Sequence, residues 1–132
     1  MSRQQVVSDK IRTPNGHFSH AIKAGNFVFI SGMTSRLPDG SIAGVGDVKE
    51  QTRQVCERLK DAVEAAGGTM DDICRVDVYV RNMEDFDDIH EVRREYFADP
   101  APASTMVEVN KFTSPHYLIE MNAIAVIEGS GN

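Results

Sequence analysis

The sequence predicts an α/β (α+β) fold in which a six-stranded mixed sheet carries two helices on one of its faces. Three observations lead there. From Asp47 to Ala66, apolar residues recur at Val48, Val55, Cys56, Leu59, Ala62, Val63 and Ala66, a stripe of helical period. A second helical segment follows Asn82, with Phe86, Ile89, Arg93, Tyr96 and Phe97 on one side. Between the two, residues 74–81 alternate strictly, Cys74, Val76, Val78 and Val80 against Arg75, Asp77, Tyr79 and Arg81.

Each element has its own boundary signals. Short strands are expected around Val6–Ser8 and Ser19–Lys23, and the apolar run from Asn26 to Ser31 gives a third that stops at Gly32. In the Gly-rich stretch before Asp47, Leu37-Pro38-Asp39-Gly40 reads as a β-turn. Asp47, with Glu50 three residues on, makes a capping-box-like start to the first helix, and Gly67-Gly68 ends it. Asn82 and Asp85 open the second helix; Pro100 and Pro102 close it. Strands at Thr105–Asn110 and Leu118–Ile127, joined by loop 111–117, complete the order β-β-β-α-β-α-β-β. Strand–helix–strand crossovers favour parallel pairs.

A chain of 132 residues makes one domain, 1–132, that buries roughly two thirds of its surface on folding. Twenty acidic against fourteen basic residues give a net charge of -6. That balance repels phosphate backbones and anionic lipid, so neither nucleic acid nor a membrane surface is an expected partner. No apolar run is long enough for a signal peptide or a membrane span, and a cytoplasmic location is expected. Cys56 and Cys74 lie outside any metal-ligand or CxxC spacing and read as small, reduced packing residues. Gly40, Gly44 and Gly46 form no phosphate loop, since no GxxxxGK is present and the next helix opens on Asp47. No metal and no cofactor are called for.

The last strand poses a problem of covering. Ile119, Met121, Ala123, Ala125 and Ile127 share the face expected under the helices, whereas Leu118, Glu120, Asn122, Ile124 and Val126 share the other. That second face is half apolar, and two helices on the first face leave nothing to cover it. Another subunit is the economical cover, with Glu120 and Asn122 near the contact.

The segments Gly16-His17-Phe18-Ser19-His20-Ala21-Ile22, Phe29-Ile30-Ser31-Gly32-Met33, Val78-Tyr79-Val80, Met83-Glu84-Asp85-Phe86, Tyr96-Phe97 and Ile119-Glu120-Met121-Asn122-Ala123-Ile124-Ala125 follow in that order. So arranged, the chain resembles the RidA/YjgF family over nearly its whole length. The resemblance implies a chorismate-mutase-like fold, a homotrimer with a central barrel, and pockets between neighbouring subunits. It also implies hydrolysis of 2-aminoacrylate and related imines, small-molecule substrates, to 2-oxo acids and ammonia. In typical members an arginine after Pro-Ala of the fifth strand clamps the substrate carboxylate by bidentate, charge-assisted bonds. Here Ser104 follows Pro102-Ala103 in that place, with Met106 where a pocket cysteine is usual, Phe18 for tyrosine and His90 for asparagine. A neutral hydroxyl does not supply an ion pair, so turnover of aminoacrylate is expected to be weak.

Glu120 is retained. In the family this carboxylate helps activate water, and imine hydrolysis does need a group that takes a proton and returns it to the departing amine. A structural role, bonding across a subunit contact, fits the residue as well. Beside Glu120 as catalytic residue, the substrate-binding set implied is Phe18, Ser31, Gly32, Met33, Phe86, His90, Ser104, Thr105, Met106 and Arg36. Arg36 lies in a stretch that looks like that of the 2-aminomuconate deaminases, where it would meet one carboxylate of a dicarboxylic enamine; alternatively it is a solvated loop arginine. His17 and His20 fall near the expected pocket mouth, and His116 in a surface loop. By residue type alone, Phe18, Phe86, Tyr96 and Phe97 read as core residues more often than as ligand-stacking ones, and Arg93-Arg94 as a solvated helix face. The alternative function is a metabolite-binding or protein-stabilising trimer without turnover. A ribonuclease is disfavoured by the acidity and the lack of a basic aromatic groove.

Overall fold

The computed structural model describes residues 2–128. The elements follow the expected order: β1 (Gln4–Val6), β2 (Ala21–Ala24), β3 (Phe27–Met33), α1 (Val48–Ala65), β4 (Ile73–Val80), α2 (Phe86–Tyr96), β5 (Ala103–Glu108) and β6 (Ile119–Val126). The strands form one six-stranded mixed sheet in the order β1-β2-β3-β6-β4-β5. Its one parallel pair is β4–β5, joined through α2; the other four pairs are antiparallel. β6 is therefore inserted between β3 and β4.

Local chemistry sets the helix ends. The Asp47 carboxylate accepts the Glu50 N–H at 3.1 Å, but the Glu50 side chain turns away to Gln54, so only half of the capping box forms. At the other end Gly67 takes φ +96°, and the N–H groups of Gly67 and Gly68 return to Glu64 and Val63, a Schellman stop that a glycine permits. The helix face of the sheet, including Val28, Val76, Val78, Ile119 and Met121, is fully buried against Val55, Leu59 and Val63 of α1 and Ile89 of α2.

Buried Gln51 ties the loops to this core. Its Nε2 donates to the carbonyls of Gly44 and His116, and its Oε1 accepts the Leu118 N–H at 2.8 Å. One side chain thus fixes both the Gly-rich loop and the entry to β6.

Four expectations need correction. Between Ile73 and Arg75 the register against β6 slips by one residue, which puts Ile73 into the core and leaves Cys74 exposed rather than packed. Phe18 and Phe86 are not core residues, being 53% and 46% exposed. Arg93 is not on a solvated face: it is buried along with Ile89 and Val92. Finally, β5 begins two residues early, at Ala103, and forms an exposed edge on which only Met106 packs against the core.

Candidate functional site

The site begins with an irregularity in β3. Ile30 pairs with Ala123 and Met33 with Met121, so three steps along β3 match two along β6. The extra residue, at Ser31-Gly32, is a β-bulge. It turns the backbone of Gly32 toward Glu120, which lies on the sheet face opposite the helices. A Cβ at Gly32 would stand 2.9 Å from the Glu120 carboxyl carbon and overlap Oε2. Only glycine admits the carboxylate so close to the strand. Ser31 is anchored on both sides, its N–H to the His20 carbonyl at 3.0 Å and its Oγ to the Ser19 carbonyl at 2.6 Å.

Around this point lies a cavity of about 390 Å³ lined by Phe18, Ser31, Gly32, Met33, Arg36 and Glu120, with Arg12 and Tyr117 among the rest. Glu120 is half-buried, and burial alone pushes its carboxyl above the ordinary value, with no charged or hydrogen-bonding neighbour contributing. Arg36 is held rather than solvated. Its Nε donates to the Tyr117 hydroxyl at 2.7 Å, its Nη1 to the Gly40 carbonyl at 2.6 Å, and its guanidinium lies over the Tyr117 ring. Arg12 reaches the same turn: a Cβ at Gly40 would be 3.8 Å from the Arg12 guanidinium carbon. Neither Arg12 nor Arg36 has an ion-pair partner among the described residues. The cavity thus has in its lining a carboxyl group of raised proton affinity and two arginines that form no ion pair among the described residues.

His20, buried, bonds through Nε2 to the Arg12 carbonyl at 2.8 Å and so fixes the N-terminal segment; His17 and His116 are exposed and line neither cavity. Arg12 and Tyr117 carried no signal in the sequence, since each reaches the cavity through a loop whose path only the tertiary structure sets.

The other site residues lie elsewhere. Ser104 and His90 line a second depression, of about 580 Å³, between the end of α2 and the start of β5. Ser104 pairs with Val76, which places it toward the helix side of the sheet, while Glu120 is on the opposite side. Thr105 accepts a bond from Arg75 at 2.9 Å, Met106 packs on the core, and Phe86 stands edge-on to His90 at 4.3 Å; none of these three lines either depression. Among the described residues no group of three His, Cys, Asp or Glu side chains can hold a metal ion, and no helix is long and apolar enough to cross a membrane.

Comparison with known proteins places this geometry. Residues 9–127 match the family model described as Endoribonuclease L-PSP. A RutC family protein from Pyrococcus horikoshii is 41% identical over 126 residues, covering 96% of this chain and 99% of its own. A 2-iminobutanoate/2-iminopropanoate deaminase from Dermatophagoides farinae is 31% identical over 129 residues, covering 97% of this chain and all of its own. The crystal structure of RidA from an Antarctic Psychrobacter superposes with a TM-score of 0.88 at 31% identity, covering 94% of this chain and 99% of that one. With the six-stranded sheet, the bulge at Ser31-Gly32 and Glu120 behind it, these matches establish that the chain belongs to the RidA/YjgF family.

Proposed function

We propose that this chain is a cytoplasmic, homotrimeric hydrolytic deaminase of a reactive enamine or imine bearing a carboxylate. The observation that carries the reading is Glu120: a half-buried carboxyl, raised by desolvation alone, set against Gly32 on a cavity. The relative that is a 2-iminobutanoate/2-iminopropanoate deaminase supports the reaction type. Water adds to the C=N carbon while its proton passes to Glu120, and the imine nitrogen takes up a proton. The carboxylic acid then returns its proton to the amine as the C–N bond of the carbinolamine breaks and ammonia leaves; the carbinolamine hydroxyl gives its proton to solvent, balancing the one the imine nitrogen took up, and becomes the C=O group. An enamine enters this path after tautomerising to the imine.

Arg36 suits a carboxylate remote from the reacting carbon, as in a 2-aminomuconate-like substrate. The open sheet face supports the assembly: Phe27 and Phe29 stack there at 6.0 Å and are 50% and 45% exposed. Glu120 and Ser104 occupy different depressions of one chain, so a site that uses both takes one from each of two neighbouring copies. Ammonia release from 2-aminoacrylate generated in situ, or from 2-aminomuconate, tests the reading. Glu120→Gln is expected to slow release about 10²–10⁴-fold. No release from either compound, with the variant indistinguishable from wild type, overturns it.

The exposed Ser104, in the place where the family resemblance puts an arginine, favours a second reading: a trimer that binds small carboxylic acids without turning them over. Thermal shifts by such acids with no ammonia would select it.

A further inference from the structure

The groove beside α2 contains a charge that the proposed deamination leaves unused. His90, Arg93, Arg94, Phe97, Asp99 and Ser104 line it. Arg93 is 7% exposed, and its Nη1 is buried without a hydrogen-bond partner among the described residues. Among the described residues no carboxylate offsets it. Its titratable partner is the Cys56 thiol, which burial pushes up to about 12 and so keeps neutral, leaving the guanidinium no counter-charge there. Asp99 reaches the groove but forms no ion pair with either arginine among the described residues. The Phe97 ring lies 5.8 Å from the guanidinium carbon and backs the cation. His90 is held below its ordinary value by burial first and then by Arg93 and Arg94, so it offers a neutral ring with one donor and one acceptor.

A buried guanidinium without a counter-ion is unstable unless something anionic meets it. Its planar fork matches a carboxylate. We propose that this groove is a carboxylate-binding subsite in which Arg93 makes the ionic contact that Ser104 cannot, while Ser104 and His90 hydrogen-bond the same small 2-oxo or 2-imino acid. The inference rests on the deaminase reading only in taking that carboxylate to be the substrate's. A cavity of about 580 Å³ is in the range of small-metabolite sites. Inorganic phosphate shares the oxyanion chemistry, but Asp99 at the groove disfavours a dianion relative to a monoanionic carboxylate.

Calorimetric titration of the full chain with 2-oxobutanoate tests this, run beside the ammonia assay. Wild type should bind it, Arg93→Met should weaken binding at least tenfold, and Arg93→Lys should recover part of the loss. Substituting a buried arginine can unfold a chain, so Ser104→Asp provides a second route. Position 104 is exposed, and a carboxylate there reaches the groove from within. Ser104→Asp should raise the melting temperature and abolish 2-oxobutanoate binding. Absence of binding to wild type, unchanged affinity in folded Ser104→Asp, or tighter binding of inorganic phosphate than of 2-oxobutanoate overturns the proposal. Binding with these dependences but no ammonia release keeps the subsite and removes the deaminase reading. Ammonia release that Ser104→Asp and Arg93→Lys leave unchanged does the reverse.

Discussion

The two faces of β6 differ more than any two elements of the molecule. Toward the helices, Ile119, Met121, Ala123 and Ala125 are 0%, 0%, 2% and 0% exposed. The residues between them, Glu120, Asn122, Ile124 and Val126, are only half-buried, and the neighbouring Phe27 and Phe29 stand in solvent. Eight residues thus serve two purposes by a period of two. One face is settled by packing within the chain. The other is left for a carboxyl group and for whatever covers the apolar residues around it.

That contrast predicts opposite consequences for neighbouring substitutions. Met121→Ala opens a cavity in a face with no room to collapse and should cost about 2–5 kcal/mol, read from urea or thermal unfolding. It should leave the mass of the assembly unchanged. On the open face, Phe29→Lys should do the converse. The folded chain loses little, because the ring is 45% exposed, but if copies meet on this face as proposed, sedimentation should show them falling to single chains. A Phe29→Lys protein that stays assembled would show that copies meet somewhere other than this face.

Much of this division was legible in the sequence, because alternation and helical period are direct images of burial. The two helices, the succession of elements along the chain, the covered half of β6 and the open half beside it all follow from such patterns, whereas the insertion of β6 between β3 and β4 does not. Irregularities were not. A bulge costs one residue of register and has no composition of its own, so neither the exposure of Cys74 nor the turning of Gly32 toward Glu120 could be read. Arg93 was misread because charge suggests solvent, whereas the helix turns it inward beside Ile89 and Val92. Phe18 and Phe86 misled in the other direction, since an aromatic side chain says that a surface is apolar without saying which chain covers it. Residues brought in by loops, Arg12 and Tyr117, lay outside any periodic argument.

The smallest predicted effect examines the open face through the half-buried carboxyl of Glu120. Burial raises the Glu120 carboxyl, and no other described residue acts on it. The folded chain therefore holds a proton that the unfolded chain releases, in the window between the unfolded value of about 4.3 and the higher folded one. With more protons bound in the folded state, stability falls as pH rises through that window and levels off above it. Glu120→Gln cannot lose a proton, so its stability relative to wild type should climb over the same range and then stay constant. Solvent screening at a half-exposed group keeps the difference below about 1 kcal/mol. Urea unfolding of both proteins at a series of pH values measures it, and differences from common groups cancel. The same experiment in a Phe29→Lys background sharpens the comparison of faces. If a neighbouring copy covers Glu120, separating the copies rehydrates the carboxyl, and both the climb in stability and the acid limb of ammonia release should move to lower pH. An identical pH dependence in the two backgrounds would mean that the burial of Glu120 comes from the bulge and its own chain alone.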